Sequence, residues 1–162
     1  MEEDLRSALN HALCDELDAA LSRIVHCANQ LTDAQVWSRP PAGTNAVGNL
    51  IIHLTGNLQQ MVVSNLRGTP DTRDRPAEFA ARDVIPSDQL VGALITAVKR
   101  ARDAILDAGD ERLCGQRLVN NNNWTGIQAV VRSVAHFRGH AQEIIHITRT
   151  ILGDGYRFAG PR

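Results

Sequence analysis

Apolar residues recur at three- and four-residue steps along four separate stretches, and this recurrence limits the fold more than any other feature. Residues spaced in that way share one face of an α-helix. The first stretch, about Leu5 to Leu31, carries Leu9, Leu13, Leu17, Ala20, Leu21, Ile24 and Ala28. The second, about Ala46 to Leu66, carries Val47, Leu50, Ile51, Leu54, Leu58, Met61 and Val62. The third, from Ser87 to Ala108, carries Leu90, Leu94, Ala97, Val98, Ala101 and Ile105. The fourth, Thr125 to Leu152, carries Ile127, Val130, Val131, Val134, Ala141, Ile144, Ile145, Thr148 and Ile151. No segment shows the period-two alternation of a strand. The expected fold is all-α, a four-helix bundle. At 162 residues the chain reads as one domain, residues 1–162, able to bury a core without staples.

The ends of these stretches carry their own signals. Thr125 and Gln128 form a T-x-x-Q capping box, and Gly109 and Gly153 read as stops. Ser87 is the expected cap of the third helix, and Thr44 or Asn45 of the second. Glu2, Glu3 and Asp4 suit the positive end of the first helix. Between helices, Pro40, Pro41 and Gly43 break the pattern, with Trp37 expected to anchor that link. Residues 68–86 alternate arginines with acids and read as a solvated loop, pinned by Phe79, although loops of that length often form lids or binding surfaces. The run Asn120 to Asn123 places irregular structure before the fourth helix. Tyr156 and Phe158 would fold the tail back. The long links after the first and second helices permit crossovers.

Composition removes several classes of function. Seventeen basic against eighteen acidic side chains leave a formal charge of −1, no footprint for nucleic acid or an acidic membrane. No run approaches the roughly 18 apolar residues of a membrane span. Cys14, Cys27 and Cys114 are odd in number and form no CxxC, so they read as small apolar residues in a reducing compartment. The N-terminal residues are acidic and amphipathic, unlike a secretory leader, and a cytoplasmic location is expected.

Six histidines remain to be placed. His136 and His140 stand four apart in the fourth helix, one turn above each other on one face, a spacing suited to two ligands of one metal ion. Glu143 lies one turn further along that strip. A zinc-protease motif would need Glu directly after the first histidine, where Phe137 stands. His53 lies on the flank of the second helix between Asn49 and Asn57. It reads either as a ligand with Asn57 hydrogen-bonded nearby, or as a buried core histidine, the plainer reading of that helix alone. His11, His26 and His146 read as surface or structural histidines.

The segments Asn49-Leu50-Ile51-Ile52-His53-Leu54-Thr55-Gly56-Asn57-Leu58, Arg73-Asp74-Arg75-Pro76-Ala77-Glu78-Phe79 and His136-Phe137-Arg138-Gly139-His140-Ala141-Gln142-Glu143-Ile144 together resemble the DinB/YfiT-like superfamily, in its DUF1572-type branch. The resemblance implies a four-helix bundle with long crossover connections, often a homodimer, and a divalent metal held by His53, His136 and His140. Glu143 stands where that branch usually has Gln. Its carboxylate could bind the metal, act as a catalytic base, or pair with an arginine, the plainest of the three.

Three neutral imidazoles would leave an ion its full charge and open positions, a catalytic rather than a closed structural pattern. Imidazole suits zinc, nickel, copper or ferrous iron, with zinc or nickel the expected ions. The superfamily resembles thiol-dependent transferases, which implies transfer of a low-molecular-weight thiol to a small electrophile as the expected reaction. No cysteine neighbours the histidines in sequence, so the thiol would come from a cosubstrate. Metal-dependent hydrolysis is the alternative enzyme, and a non-enzymatic metal-binding or interaction bundle in stress response is the alternative class.

Overall fold

A computed structural model describes residues 4–39, 43–82, 84–119 and 121–159. Glu2, Glu3, Pro40, Pro41 and Asn120, each given a role above, lie outside them. Helix α1 spans Leu5–Ala28, and Asp4 caps it by accepting from the Ser7 amide. The one-turn α2, Asp33–Val36, carries a reciprocal capping box of Thr32 and Gln35. Helix α3, Val47–Leu58, continues through a π-helical segment, Gln59–Ser64, into α4, Asn65–Arg67. Then come α5 (Arg75–Ala80), α6 (Ser87–Leu106) and α7 (Asp110–Cys114). Strands β1 (Gln116–Val119) and β2 (Asn122–Thr125) form an antiparallel hairpin that leads into α8, Gly126–Leu152.

The all-α expectation holds for the bulk of the chain, and the hairpin is the exception. Its strands are four residues each, too short for an alternation to register, and among the described residues they pair only with one another. Asn121 turns the chain between them at φ 60, a conformation asparagine tolerates better than most residues.

Helix α1 packs on α6 and α8, and α3 packs on the same two, so the ring order is α1, α6, α3, α8. Side-chain pairs set the directions. The Asn10 amide donates to the Ile105 carbonyl at 2.9 Å, so α1 and α6 run oppositely. Ser133 donates to Asn57 at 2.7 Å, and His136 meets His53, so α3 and α8 also run oppositely. Arg138 pairs with Glu16 in the middle of α1. The diagonal crossings are therefore the links α1 to α3 and α6 to α8. The second long link joins neighbours, α3 and α6, and is free to cover a side of the bundle. The interior is filled by Leu17, Ile24, Leu50, Leu54, Leu58, Leu94, Ile105, Phe137 and Ile144, all fully buried.

Two caps differ from expectation because tertiary partners replace local ones. Pro86, not Ser87, holds the cap position of α6, and the Ser87 amide donates instead to Asp33 of α2 at 2.8 Å. Ala46 precedes α3 with no side-chain cap bond. Trp37 does anchor its link: its indole donates to the Ile85 carbonyl at 2.9 Å, and its ring lies against Gly48 where a Cβ would clash. The Thr125–Gln128 box and the Gly153 stop stand as expected. No helix among the described residues is long and apolar enough to cross a membrane.

Candidate metal centre

Opposed α3 and α8 bring His53 level with His136 and His140. Within α8, Val134, Phe137, Ala141 and Ile144 are buried, which turns positions 136 and 140 to the flank that faces α3. His53 is buried and the other two are half-buried. One ligand nitrogen from each lies within 4.8 Å of the other two, and the Nε2 atoms of His53 and His136 are 2.9 Å apart. Ring centroids are separated by 5.0, 5.2 and 4.4 Å, with rings close to perpendicular. Such a group could hold a metal ion.

Two carboxylates set which nitrogen faces inward. Glu78 Oε2 lies 2.8 Å from His53 Nδ1, and Glu143 Oε2 lies 2.7 Å from His140 Nδ1. When each Nδ1 donates its proton to its carboxylate, each Nε2 is left with a lone pair for a common ligand. Glu78 is itself held on both oxygens: Arg73 donates from Nε at 2.7 Å and from Nη2 at 2.9 Å. The third arm of Arg73 donates to Gln60 in the π-helical segment at 2.9 Å. Asn49 donates to the carbonyls of Glu78 and Ala81 at 2.9 and 3.2 Å and so ties α5 to α3.

This latch needs a glycine. Glu78 crosses α3 so closely at Gly56 that a Cβ there would overlap its Oε1 and crowd Arg73 Nε. The segment carrying Glu78 is built locally, since Asp74 caps α5 by accepting from the Ala77 amide at 3.0 Å and Pro76 occupies its first turn. Phe79 then lays its ring 4.7 Å from the His53 ring.

The electrostatics favour neutral imidazoles. His136 is pushed down to about 4, first by burial and then by the charges of His140, His53, Arg73 and Arg75. His53 is also lowered, because burial outweighs its hydrogen bond to the Glu78 carboxylate. A neutral imidazole is the form that binds a metal.

The remaining assignments separate cleanly. Asn57 bonds Ser133 and fixes α3 against α8, whereas Glu78 meets the His53 ring at Nδ1 and Arg73 donates to the His53 carbonyl. Glu143 meets His140 rather than an arginine. His26 bonds the Arg157 carbonyl at 2.6 Å, and His11 and His146 are exposed. Cys14 and Cys27 are buried elsewhere, and burial raises both thiols. Sequence reasoning passed over Arg73 and Glu78 within an alternating charge run. The signal for a helix there was Asp74 followed by Pro76. A cleft of ≈ 890 Å³ lies on the α6 side of α3; it shares Gly56, Arg73 and Glu78 with the latch but none of the three histidines.

The chain matches a family model described as "Protein of unknown function (DUF1572)" over residues 9–160. The crystal structure of a conserved protein from Enterococcus faecalis has the same fold, with a TM-score of 0.76 at 18% identity over 89% of this chain and 97% of that one. No curated protein matches the chain.

Proposed function

The chain belongs to the DUF1572 family, and from that premise we propose that it is a divalent-metal-dependent enzyme whose ion is held by His53, His136 and His140. The observation that carries this reading is the convergence of three imidazoles, two with Nδ1 against a carboxylate. The donor set fits a borderline ion such as zinc or nickel and would leave positions open. Such an ion would supply Lewis acidity, making a thiol or a water brought to it more acidic and more nucleophilic at neutral pH.

The residues divide the other tasks. Arg73 and Glu78 hold the His53 ring in one orientation and keep its proton on Nδ1. Glu143 does the same for His140 from a side chain 40% exposed, and its second oxygen is open to accept a proton from an arriving ligand. Phe79 shields one side of His53 from water. The proposed reaction is transfer of a low-molecular-weight thiol to a small electrophile. The thiol would arrive with a cosubstrate: Cys14 and Cys27 are buried, Cys114 is exposed at the end of α7, and the group formed by the three histidines includes none of them.

Metal content of the purified protein after reconstitution with zinc or nickel tests the site. One ion per chain, lost in His136→Ala, is the expected result, and a protein that binds none overturns the reading. Metal-loaded protein incubated with monochlorobimane and a panel of thiols tests the reaction. Conjugation that disappears in His136→Ala supports transfer, and no turnover with any thiol overturns it.

A further inference from the structure

Around the latch, Arg39 donates to Asn49 Oδ1 and to the Phe79 carbonyl. Arg73 is consumed by Glu78, and Arg82 donates to the carbonyls of Phe79 and Ala81. Arg75 has no carboxylate partner among the described residues. Its guanidinium carbon lies 5.0 Å from the Phe79 ring centroid, and that ring lies 4.7 Å from the His53 ring. Stacking engages the flat face of a guanidinium and leaves its N–H donors pointing outward in the plane, the geometry that takes a carboxylate through two parallel bonds. Asp74 caps α5 and Phe79 seats it on His53, which anchors the backbone that carries Arg75, while the exposed guanidinium lies over the Phe79 ring. Its field reaches His136.

The charges around the centre point the same way. Arg73 offsets Glu78, and Glu143 lies against His140. A divalent ion there would leave the open face cationic.

We propose that the open face of the centre takes a ligand bearing a carboxylate, with Arg75 as the specificity residue that binds it while the ligand's reactive group meets the three histidines. This inference rests on the metal reading above and narrows the thiol to an anionic one.

The test uses full-length protein loaded with cobalt(II), whose visible spectrum reports ligand binding at the ion. Mercaptoacetate and 2-mercaptoethanol are titrated separately; they share a thiol and differ in one carboxylate. Wild type should bind mercaptoacetate at least about tenfold more tightly, the worth of one charge-assisted bidentate contact. Arg75→Gln should abolish the preference while leaving the thiol-free cobalt spectrum unchanged. Arg75→Lys should restore part of it. Arg100→Gln, which removes an equal charge from α6, should keep it whole. Equal affinity for the two thiols in wild type, a preference that survives Arg75→Gln, or no response to either thiol overturns the proposal. Protein that takes up no cobalt overturns the metal reading instead, and the proposal with it.

Discussion

Glu78 Oε2 sits 2.8 Å from His53 Nδ1, joining residues 25 apart across the link between α3 and α6. The contact makes that link part of the histidine centre. Arg73 and Glu78 are only 5% and 7% exposed, so the pair is buried and each charge depends on the other.

Removing the carboxylate should therefore cost both stability and metal. Glu78→Ala leaves Arg73 buried without a partner, and breaking such a pair costs about 3–5 kcal/mol. Glu78→Gln keeps the shape and should fold, yet its amide cannot hold the His53 proton as a carboxylate does. Zinc affinity should fall roughly 10–100-fold. Chemical denaturation and competition with a chromophoric chelator measure the two effects. Unchanged zinc affinity in Glu78→Gln would remove Glu78 from the centre.

Two glycines give a contrast of sign. Alanine in place of glycine inside a helix ordinarily stabilises by about 0.5–1 kcal/mol. Gly139 of α8 has nothing within 4 Å of a new Cβ, so Gly139→Ala should follow that rule. At Gly56 the Cβ would overlap Glu78 Oε1, so Gly56→Ala should destabilise the protein and weaken zinc binding together. Melting temperatures of the two variants should move in opposite directions.

Stability of the metal-free protein should depend on pH through His136 and His53. Burial lowers both, His136 to about 4 against an ordinary 6.5, so the unfolded chain binds protons that the folded chain refuses. The sign follows: stability is complete above 6.5 and declines as pH falls from there toward about 4. His136→Gln should flatten part of that decline in a series of thermal melts. A pH profile identical to that of wild type would contradict it.

Glu143 should matter less than Glu78. Its side chain is 40% exposed and its bond to His140 competes with water. Glu143→Gln should lower zinc affinity by roughly tenfold or less, with little change in melting temperature. If it also lowers turnover with thiol and bimane well beyond the loss of bound zinc, Glu143 moves a proton in the reaction.

Some of this was legible in the residues alone. The apolar period located all four long helices because burial of one face is a local, repeating requirement, and Thr125 with Gln128 marked the start of α8 because a capping box closes within four residues. His136 and His140 were readable as a pair because helix geometry alone puts them on one face. The hairpin, the Asp33 cap on Ser87 and the Arg73–Glu78 latch were not, because each depends on a partner that only folding supplies.

The sequence by itself determined the helices, their apolar faces and a histidine pair with the reach of one turn. Tertiary structure decided the rest. Antiparallel packing of α3 on α8 brought His53 to the pair, and Gly56 gave Glu78 the room to cross α3 and fix that histidine. A helix face follows from the spacing of neighbours along the chain, whereas a meeting of residues 53, 78 and 136 follows from how whole helices pack, and no local spacing carries that.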